Sequence, residues 1–532
     1  MSEKWRNENW FTSSWNFAEE VRSSLHLSDH IKIPDVTLRD GEQQAGLIFD
    51  YKQKIALAEK LSEMGIHRIE AGMPAVSAQD RQVIVDLAKR SDIKSEIFAF
   101  ARCMVDDVKR AADCGVKGVV IEIPCNEEMI TKAYGWTMER ALELSIQASL
   151  AAKEAGLYTV FFPIDMTRAS MKWSLDLLEH VADNGHMDAL AIVDTMGVLA
   201  PHTVPYLVKA VKARIPGKPV ELHFHDDYGL GAANTIMGLA AGADVAHTTI
   251  GAVGERAGNA PLSSAVAVLH DRLGRTTGID ETKINRVSRT VESYTGIRIP
   301  ANRPIVGASV FTQCAGIHAD GDSKNNLYFN ELLPERFGRV REYALGKTSG
   351  KANVLKNLEA LGIDLDEAAM RKVTERVVEL SDKKEQVTAE DLPYIIADVL
   401  RYDPVDTPVR ILNYSLSLAQ GMHPVATLRI EIHGCAYERT SAGDGQYDAF
   451  MRALRQIYRE QLGREFPMLR DYTVSIPPGG RTDAFVQTII TWEMDGREFK
   501  TRGLDADQTE AAIKATVKML NIIEINYNDN GC

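Results

Sequence analysis

The stretch IKIPDVTLRDGEQQAGLIFDYKQKIALAEKLSEMGIHRIEAG, residues 31–72, contains two strand patterns separated by a helix pattern. Its first and last runs, IKIPDVTL and HRIEAG, are rich in β-branched and apolar residues. Between them, Ile55, Ala58 and Leu61 have helical spacing, and Gly65 is a typical helix stop. The stretch therefore predicts one strand–helix–strand unit of an α/β fold.

The same alternation of strand and helix patterns continues to Gly251. The β-rich runs that follow are SEIFAFA, KGVVIEI, LYTVFF, DALAIVD, PVELHFH and DVAHTTIG. Helical stretches that end in glycine, such as LDLLEHVADNG and ANTIMGLAAG, separate several of them. Eight such strand–helix units match a (β/α)8 TIM barrel in length, about 250 residues, and in the alternation of strands and helices. An open doubly wound sheet is the alternative, but no G-x-G-x-x-G motif follows an early strand.

At 532 residues the chain exceeds what one hydrophobic core supports, so we expect several domains. We predict an N-terminal arm over residues 1–30, the barrel over 31–290, a linker with small helical subdomains over 291–404 and an α+β domain over 405–532. In the third region DEAAMRKVTERVVEL predicts a helix, and Thr388–Asp391 resembles a capping box. The last region predicts two strand–strand–helix halves, which form an internal repeat.

Charge and composition exclude several classes of protein. The net charge of −13 argues against a general nucleic-acid binder, and no apolar run is long enough for a membrane span. The N-terminus has no apolar core of a signal peptide, and the six cysteines show no C-x-x-C spacing. We therefore expect a cytoplasmic protein with reduced thiols that binds neither nucleic acid nor membrane.

Polar residues follow nearly every predicted strand of the barrel. The active sites of such barrels lie at the carboxyl ends of the strands. Each residue alone could be a helix cap or a loop ion pair, but their coincidence predicts a catalytic barrel mouth. These residues are Arg39, Asp40, Gln43, Glu70, Arg102, Asp165, Arg168, Asp194, Thr195, His223, His225, Glu255 and Asn259.

The pair His223 and His225 lies two residues apart in the run ELHFH. Successive side chains on a strand point to opposite faces, so the two imidazoles share one face. Two satisfied core histidines are the plain interpretation of this spacing. A metal site is the alternative, because imidazole is the commonest ligand of transition metals in proteins.

Several motifs together resemble a known group of enzymes. T-L-R-D-G-E-Q at 37–43, H-x-H at 223–225 and G-E-R-A-G-N at 254–259 resemble signatures of the DRE-TIM metallolyase superfamily. Within it the chain most resembles the 2-isopropylmalate synthase and homocitrate synthase family. Further motifs that carry this resemblance are D-T-M-G at 194–197, A-G-I-H-A-D-G at 315–321, L-G-K-T-S-G-K at 345–351 and G-D-G-x-x-D-A at 443–449.

The resemblance implies a role for each matching residue. It implies a divalent ion, Mg²⁺, Mn²⁺ or Zn²⁺, held by Asp40, His223, His225 and Asn259. It implies that Arg39 stabilises an alkoxide and that Glu255, His318 and Tyr343 form a relay that removes a proton. The substrate-binding residues that we expect are Gln43, Arg102, Ile164, Asp165 and Thr195.

The resemblance also implies a reaction and an assembly. The reaction is a metal-dependent Claisen-type condensation of acetyl-CoA with a 2-oxo acid, which gives a 2-hydroxy dicarboxylic acid of the alkylmalate type and CoA. Such an enzyme is an acyltransferase. It is expected to be a homodimer whose active-site residues come from both chains, with a regulatory C-terminal domain.

Two departures from the family pattern leave alternatives open. The run His225-Asp226-Asp227 stands where the synthases have H-N-D, and H-D resembles the hydroxymethylglutaryl-CoA lyases. Those lyases, however, carry a cysteine-bearing loop in place of G-E-R-A-G-N and lack the C-terminal extension. Ile164 stands where the synthases usually have glutamate, which changes the expected pocket for the oxo acid. A barrel that binds metal without catalysis is a third alternative.

Overall fold

The structure is a computed structural model, and it describes most of the chain in two compact units. The first unit is Met1–Gln313 with Gly321–Glu342, and the second is Cys314–Asp320 with Tyr343–Cys532. The described residues are 4–324, 326–361, 363–382, 387, 392, 395, 396, 399, 408–475, 486–494 and 496–525. The capping-box pattern at Thr388–Asp391 lies outside them.

A parallel sheet of seven strands, in sequential order, forms the centre of the first unit. Its strands are β1 (Arg68–Glu70), β2 (Glu96–Arg102), β3 (Gly118–Pro124), β4 (Tyr158–Ile164), β5 (Ala189–Asp194), β6 (Val220–Phe224) and β7 (Val245–Ala246). Each strand pairs with the next one in the chain, which is the connectivity of a TIM barrel.

The predicted first strand, IKIPDVTL, joins the two edges of this sheet without forming a continuous strand. Lys32 makes a parallel bridge to Val245 of β7, and Asp35 makes one to Ile69 of β1. Pro34 lies between them and has no N–H to donate, so the ladder is interrupted there. The prediction of a barrel is confirmed, whereas the prediction of a regular strand over 31–38 is wrong.

Helices follow the strands around the barrel, as the sequence predicted. The helices of this unit are α1 (Glu19–Arg22), α2 (Tyr51–Met64), α3 (Ala78–Ala88), α4 (Val105–Asp113), α5 (Met138–Glu154), α6 (Met171–Asn184), α7 (Val204–Arg214), α8 (Gly231–Ala240), α9 (Leu262–Asp271) and α10 (Ile284–Thr295). Helix α2 begins with a capping box between Asp50 and Gln53 and ends at Gly65, whose φ is 95°.

The inside of the barrel is divided into an apolar half and a polar half. On β2, Ile97 and Ala99 pack towards the helices, while Phe98 and Phe100 belong to the inner cluster. That inner cluster contains Phe98, Phe100, Val120, Val160, Phe162, Ala189, Ala191 and Val193. Strands β1 and β6 and residues 31–40 instead contribute buried charged and polar side chains. The candidate catalytic side chains therefore lie on that side of the barrel.

The rest of the chain contains short elements followed by two antiparallel sheets. Its elements are β8 (Thr312–Gln313), α11 (Gly316–Ser323), β9 (Glu342–Tyr343), α12 (Lys351–Leu361), α13 (Glu367–Asp382), β10 (Val409–Ser417), β11 (Val425–Ile432), β12 (Cys435–Ala442), α14 (Gln446–Gln456), β13 (Met468–Ser475), β14 (Val486–Met494), β15 (Arg497–Asp505) and α15 (Gln508–Ile525). The helix expected from DEAAMRKVTERVVEL is α13.

Each repeat of the C-terminal region has three strands before its helix, where the sequence predicted two. In the first repeat, β10 and β12 alternate partly buried with exposed residues along most of their length. Such strands carry a weaker hydrophobic signal than β11, where four residues are buried. The division of the chain into four parts stays a prediction.

Two further expectations can be compared with the structure. Among the described helices, none is long and apolar enough to cross a membrane. Cys103, Cys114, Cys125 and Cys314 are free, as expected for reduced thiols. Cys435 is disulfide-bonded, so the expectation of reduced thiols throughout is wrong for that residue.

Candidate active site and metal centre

Three potential metal ligands meet at the carboxyl end of β6. The Nε2 atoms of His223 and His225 lie 3.0 Å and 3.6 Å from Oδ2 of Asp40. All three residues are buried, and one donor atom from each lies within 4.8 Å of the others. Because side chains alternate along a strand, both imidazoles lie on the inner face of β6. Asp40 reaches them from the loop that follows the run IKIPDVTL.

Asn259 lies beside this cluster through its backbone pairing with His225. An antiparallel bridge pairs it with His225, and its side chain is almost fully buried. Oδ1 of Asn259, Oδ1 of Asp40 and Nδ1 of both histidines are buried without a hydrogen-bond partner in the described part of the chain. Buried polar atoms are costly unless they are bonded. The imidazole, carboxylate and amide groups of these four residues are ligand types that fit a divalent cation.

The G-E-R-A-G-N loop needs its glycines to present Asn259. A Cβ at Gly254 would lie 2.2 Å from Nδ2 of Asn259, and a Cβ at Gly258 would lie 1.8 Å from the Ala252 carbonyl oxygen. Both glycines also have positive φ, 150° and 86°. Any side chain at either position would therefore displace the loop that carries the fourth candidate ligand.

Arg39 lies beside the cluster in a buried, charged environment. Its Nε donates to Oε2 of Glu70 at 2.9 Å, and its Nη1 lies 3.4 Å from Oδ2 of Asp40. The guanidinium also lies 4.0 Å from the centre of the Phe100 ring. Burial disfavours the charge, but Glu70 and Asp40 together raise the pKa of Arg39, so it stays a cation.

The same charges act on the cluster itself. Burial opposes ionisation of Asp40, but Arg39 and the two histidines hold the pKa of its carboxyl below its usual range. Burial lowers the pKa of His223 to about 4. At neutral pH the site therefore offers an ionised carboxylate and a neutral imidazole, which are the protonation states that bind metal.

A buried lysine holds the loop that carries Arg39 and Asp40. Nζ of Lys54, on α2, lies 2.5 Å from a carboxylate oxygen of both Glu42 and Asp80. It also donates to the carbonyl of Leu38 at 3.3 Å. The R-D-G-E-Q loop is thus fixed to the first barrel helix by one fully buried ammonium group.

Thr195 and Asp165 are joined at the ends of β4 and β5. The backbone N–H of Asp165 donates to Oγ1 of Thr195 at 2.7 Å. Both carboxylate oxygens of Asp165 accept from Arg168 at 2.7 Å, in the paired geometry that Arg and carboxylate favour. The Asp165 carboxylate is therefore already engaged by Arg168, and its role in binding a substrate stays a prediction.

The other predicted substrate-binding residues differ in exposure. Arg102, at the end of β2, is half-exposed and is paired through two hydrogen bonds with Asp107. Gln43 is exposed in the short helical turn after Asp40. Ile164, the last residue of β4, is partly buried against the inner apolar cluster. The mouth is thus apolar on the β4 side and charged on the β2 side.

The two aspartates after His225 have local structural partners. Oδ1 of Asp226 accepts from the N–H of Gly231, the first residue of α8, at 2.7 Å. Asp227 forms two hydrogen bonds with Arg256. Asp226 thus binds a free N–H at the start of α8, and an asparagine oxygen could accept the same bond. Asp227 forms an ion pair within the loops.

The three residues of the expected proton relay belong to different units. Glu255, in the first unit, is exposed and lies 3.4 Å from Arg256. His318 lies in α11 and Tyr343 in β9, and both belong to the second unit. Their action on one substrate stays a prediction.

His318 and Tyr343 share one framework within the second unit. A Cβ at Gly316 would lie 2.7 Å from the backbone nitrogen of Gly350, so the A-G-I-H and K-T-S-G motifs are in close contact. Nδ2 of the buried Asn353 donates to the carbonyls of Cys314 and Ala344, at 2.8 Å and 3.1 Å. One amide thus ties together the segments that carry the two relay candidates.

The sequence did not reveal a buried polar network inside the barrel. Arg68 binds both carboxylate oxygens of Glu221, and Nε2 of His247 lies 2.6 Å from the same carboxylate. Nδ1 of His247 lies 3.6 Å from Glu70, which in turn holds Arg39. The sequence signal that could have indicated this network is the presence of charged or ionisable residues at alternate positions of two apolar strands, RIE and ELHFH.

Three family models match successive parts of the chain. The HMGL-like family matches residues 30–291, the homocitrate synthase post-HMGL domain-like family matches 305–385, and the LeuA allosteric (dimerisation) domain matches 386–524. The order of these matches is that of the motifs along the sequence.

Curated relatives match nearly the whole chain. A putative (R)-citramalate synthase from Archaeoglobus fulgidus is 32% identical, over 93% of this chain and 99% of its own length. A 2-isopropylmalate synthase from Methanocaldococcus jannaschii is 30% identical, over 95% and 97%. A probable 2-isopropylmalate synthase from Ignicoccus hospitalis is 37% identical, over 72% and 95%. The chain belongs to the DRE-TIM metallolyase superfamily and, within it, to the 2-isopropylmalate synthase and homocitrate synthase family.

Proposed function

We propose that this protein is an acyltransferase that condenses acetyl-CoA with a 2-oxo acid in a Claisen-type reaction, to give an alkylmalate-type 2-hydroxy dicarboxylic acid and CoA. The observation that carries the proposal is the buried set of Asp40, His223, His225 and Asn259 beside the cationic Arg39. Relatives named for the synthesis of citramalate and 2-isopropylmalate support it.

We assign the divalent ion, Mg²⁺, Mn²⁺ or Zn²⁺, to those four residues. When bound, the ion supplies Lewis-acid polarisation of the oxo acid's ketone. Thr195 binds the carboxylate of the oxo acid, and its hydroxyl is already oriented by the Asp165 N–H. Gln43, Arg102, Ile164 and Asp165 form the rest of the oxo acid's site.

Arg39 stabilises the negative charge that develops on the ketone oxygen. Its guanidinium is buried and is held by Glu70 and by the Phe100 ring, so it does not reorganise when the charge appears. The relay of Glu255, His318 and Tyr343 takes a proton from the methyl group of acetyl-CoA. The resulting carbon nucleophile attacks the ketone carbon, and hydrolysis of the thioester then releases CoA.

A hydroxymethylglutaryl-CoA-lyase-like reaction is the competing function, and a metal-binding barrel without catalysis is the third. The sequence keeps G-E-R-A-G-N where the lyases carry cysteine, and the chain has matches to two synthase-type domains after the barrel. Asp226, the residue that suggested a lyase, caps α8. These observations favour synthesis, and the retained arginine and relay candidates argue against a non-catalytic barrel.

We also propose that the enzyme is a cytoplasmic homodimer. The match to a LeuA dimerisation domain over residues 386–524 supports a dimer. In this arrangement the C-terminal region contributes to assembly and regulation. The small-molecule partners are acetyl-CoA and the 2-oxo acid.

The test is release of free thiol from acetyl-CoA with a panel of 2-oxo acids, with and without a chelator. We expect release that depends on one or a few oxo acids and that stops when the metal is removed. His225→Ala should abolish release and lower bound metal, because an under-coordinated ion is lost. The matched control is His202→Ala, an exposed barrel histidine. Full activity of His225→Ala with stoichiometric metal would overturn the assignment.

A further inference from the structure

Glu122 is an acidic residue of the barrel mouth to which the sequence assigned no role. It lies on β3, where its Cα is paired with Arg102 on β2 and with Phe162 on β4. Val120, two residues earlier on the same strand, belongs to the inner cluster of the barrel. Since alternate residues share a face, Glu122 also points inward, one step closer to the mouth.

Arg39, Arg102 and Tyr134 interact electrostatically with the carboxylate of Glu122. Burial raises its pKa, while the charges of Arg39 and Arg102 lower it, which places both guanidinium groups near it. Tyr134 follows a π-helical turn over Met129–Ala133 and is partly exposed, and partial burial and then the charge of Glu122 raise the pKa of its hydroxyl. Turns of this kind are frequent at functional sites.

The carboxylate of Glu122 has no hydrogen-bond or ion-pair partner in the described part of the chain, although much of it is buried. Arg102 is the cation that could attract a second carboxylate on a substrate, but Asp107 already neutralises it through two hydrogen bonds. Arg102 is also half-exposed, so solvent screens its charge further. The uncompensated charge on this side of the mouth is therefore negative.

The inner wall of the barrel next to the metal cluster is aromatic and apolar. The Phe100 and Phe162 rings meet edge to face at 5.4 Å, and the Phe162 ring lies 5.0 Å from the ring of His223. Ile164 extends this apolar surface at the end of β4. This wall offers apolar contacts to the side chain of an oxo acid and, among these residues, no partner for a second carboxylate.

On the basis of the proposed function, we infer that Glu122 excludes 2-oxo acids with a second carboxylate, so that the substrate is a monocarboxylic 2-oxo acid with a short apolar side chain. The Glu122 carboxylate would face a distal carboxylate, and like charges repel more strongly where partial burial reduces screening by solvent. An apolar side chain would instead contact Phe162 and Ile164.

The experiment compares kcat/KM for pyruvate and 2-oxobutyrate with kcat/KM for oxaloacetate and 2-oxoglutarate. Wild type should prefer the first pair. Glu122→Gln should raise the relative kcat/KM of the dicarboxylic pair by about tenfold or more, because the repulsion is removed. The matched control is Glu96→Gln, which removes an exposed carboxylate from the opposite end of β2 and should leave the ranking unchanged.

Each outcome decides between the two proposals. Thiol release with an unchanged ranking in Glu122→Gln, or a wild-type preference for the dicarboxylic pair, overturns this inference alone. No release with any of the four acids, nor with any member of the wider panel of 2-oxo acids, counts against the proposed function itself. Glu122→Ala removes the same charge in a smaller side chain, and it replaces Glu122→Gln if that variant does not fold.

Discussion

At the scale of single residues, Asp35 shows how a buried carboxylate changes the stability of the barrel. Burial raises its pKa to about 7, although hydrogen bonds from the N–H and hydroxyl of Thr37 oppose this. In the unfolded chain its pKa is that of an ordinary aspartate. Between these two values the native state binds more protons than the unfolded state, so stability falls as pH rises through this window.

Asp35→Asn is therefore expected to gain stability relative to wild type as pH rises. The amide resembles the protonated carboxyl in shape and cannot ionise, so the variant avoids the cost of a buried charge. Urea unfolding of both proteins at about pH 5 and about pH 8 measures the difference in the free energy of unfolding. A difference that stays constant between the two pH values would show that Asp35 ionises normally in the native state.

Ile164→Glu is expected to change which oxo acid is preferred more than it changes metal binding. Ile164 lies against the inner aromatic cluster and is not among the candidate ligands, so a carboxylate there meets the substrate's side chain. The measurements are kcat/KM across the panel of oxo acids and the metal content of the purified variant. An unchanged substrate ranking would remove Ile164 from the pocket.

At the scale of elements, the contact between α2 and the R-D-G-E-Q loop depends on Lys54. Lys54→Met leaves the carboxylates of Glu42 and Asp80 next to each other without their cation, which should cost about 3 kcal/mol of stability. Activity should fall too, since the loop carries Arg39 and Asp40. The matched control is Lys52→Met on the exposed side of α2, with a change within about 0.5 kcal/mol. Equal urea midpoints for the two variants would contradict this role.

Most barrel elements could be predicted because strands buried on both faces give long apolar runs, and helices give period and stop signals. The prediction failed where one residue overrides the run, as Pro34 does by interrupting the ladder within IKIPDVTL. It also failed for the number of strands in the first C-terminal repeat, where β10 and β12 alternate in exposure and give no continuous apolar run. Local pattern thus predicts buried elements better than half-exposed ones.

Some residues of the candidate site could likewise be predicted from the sequence, and others could not. Asp40, His223, His225 and Asn259 could be proposed together because motifs mark them in the sequence, and the structure brings them into one cluster. Glu122 stands in the apolar run KGVVIEI, where nothing local distinguishes a pocket carboxylate from a strand end. Its significance depends on its neighbours on β2 and β4, which only the pairing of strands reveals.

At the scale of the whole molecule, the residues to which we assign catalytic roles are divided between the two compact units of the chain. The metal ligands and Arg39 belong to the first unit, whereas His318 and Tyr343 belong to the second. In a homodimer, His318 and Tyr343 can act on the barrel of the same chain or on that of its partner. The family resemblance implies the partner, and this can be tested without a structure of the dimer.

We predict that His225→Ala and His318→Ala are each nearly inactive alone and recover activity when mixed. If one site combines the metal ligands of one chain with His318 of the other, a mixed dimer has one site with both defects and one with neither. Random exchange makes half of the dimers mixed, so activity should reach roughly a quarter of wild type. The measurement is thiol release after the two variants are refolded together.

The controls make this result specific to the sharing of sites. Refolding His225→Ala with His225→Ala must give no recovery, which excludes activation by the procedure itself. Differently tagged chains, isolated through both tags, show that mixed dimers have formed. If such dimers exist and stay inactive, each site is built from one chain, because every chain of a mixed dimer then carries one defect in its own site. Recovery near a quarter instead requires that His318 acts on the barrel of the other chain.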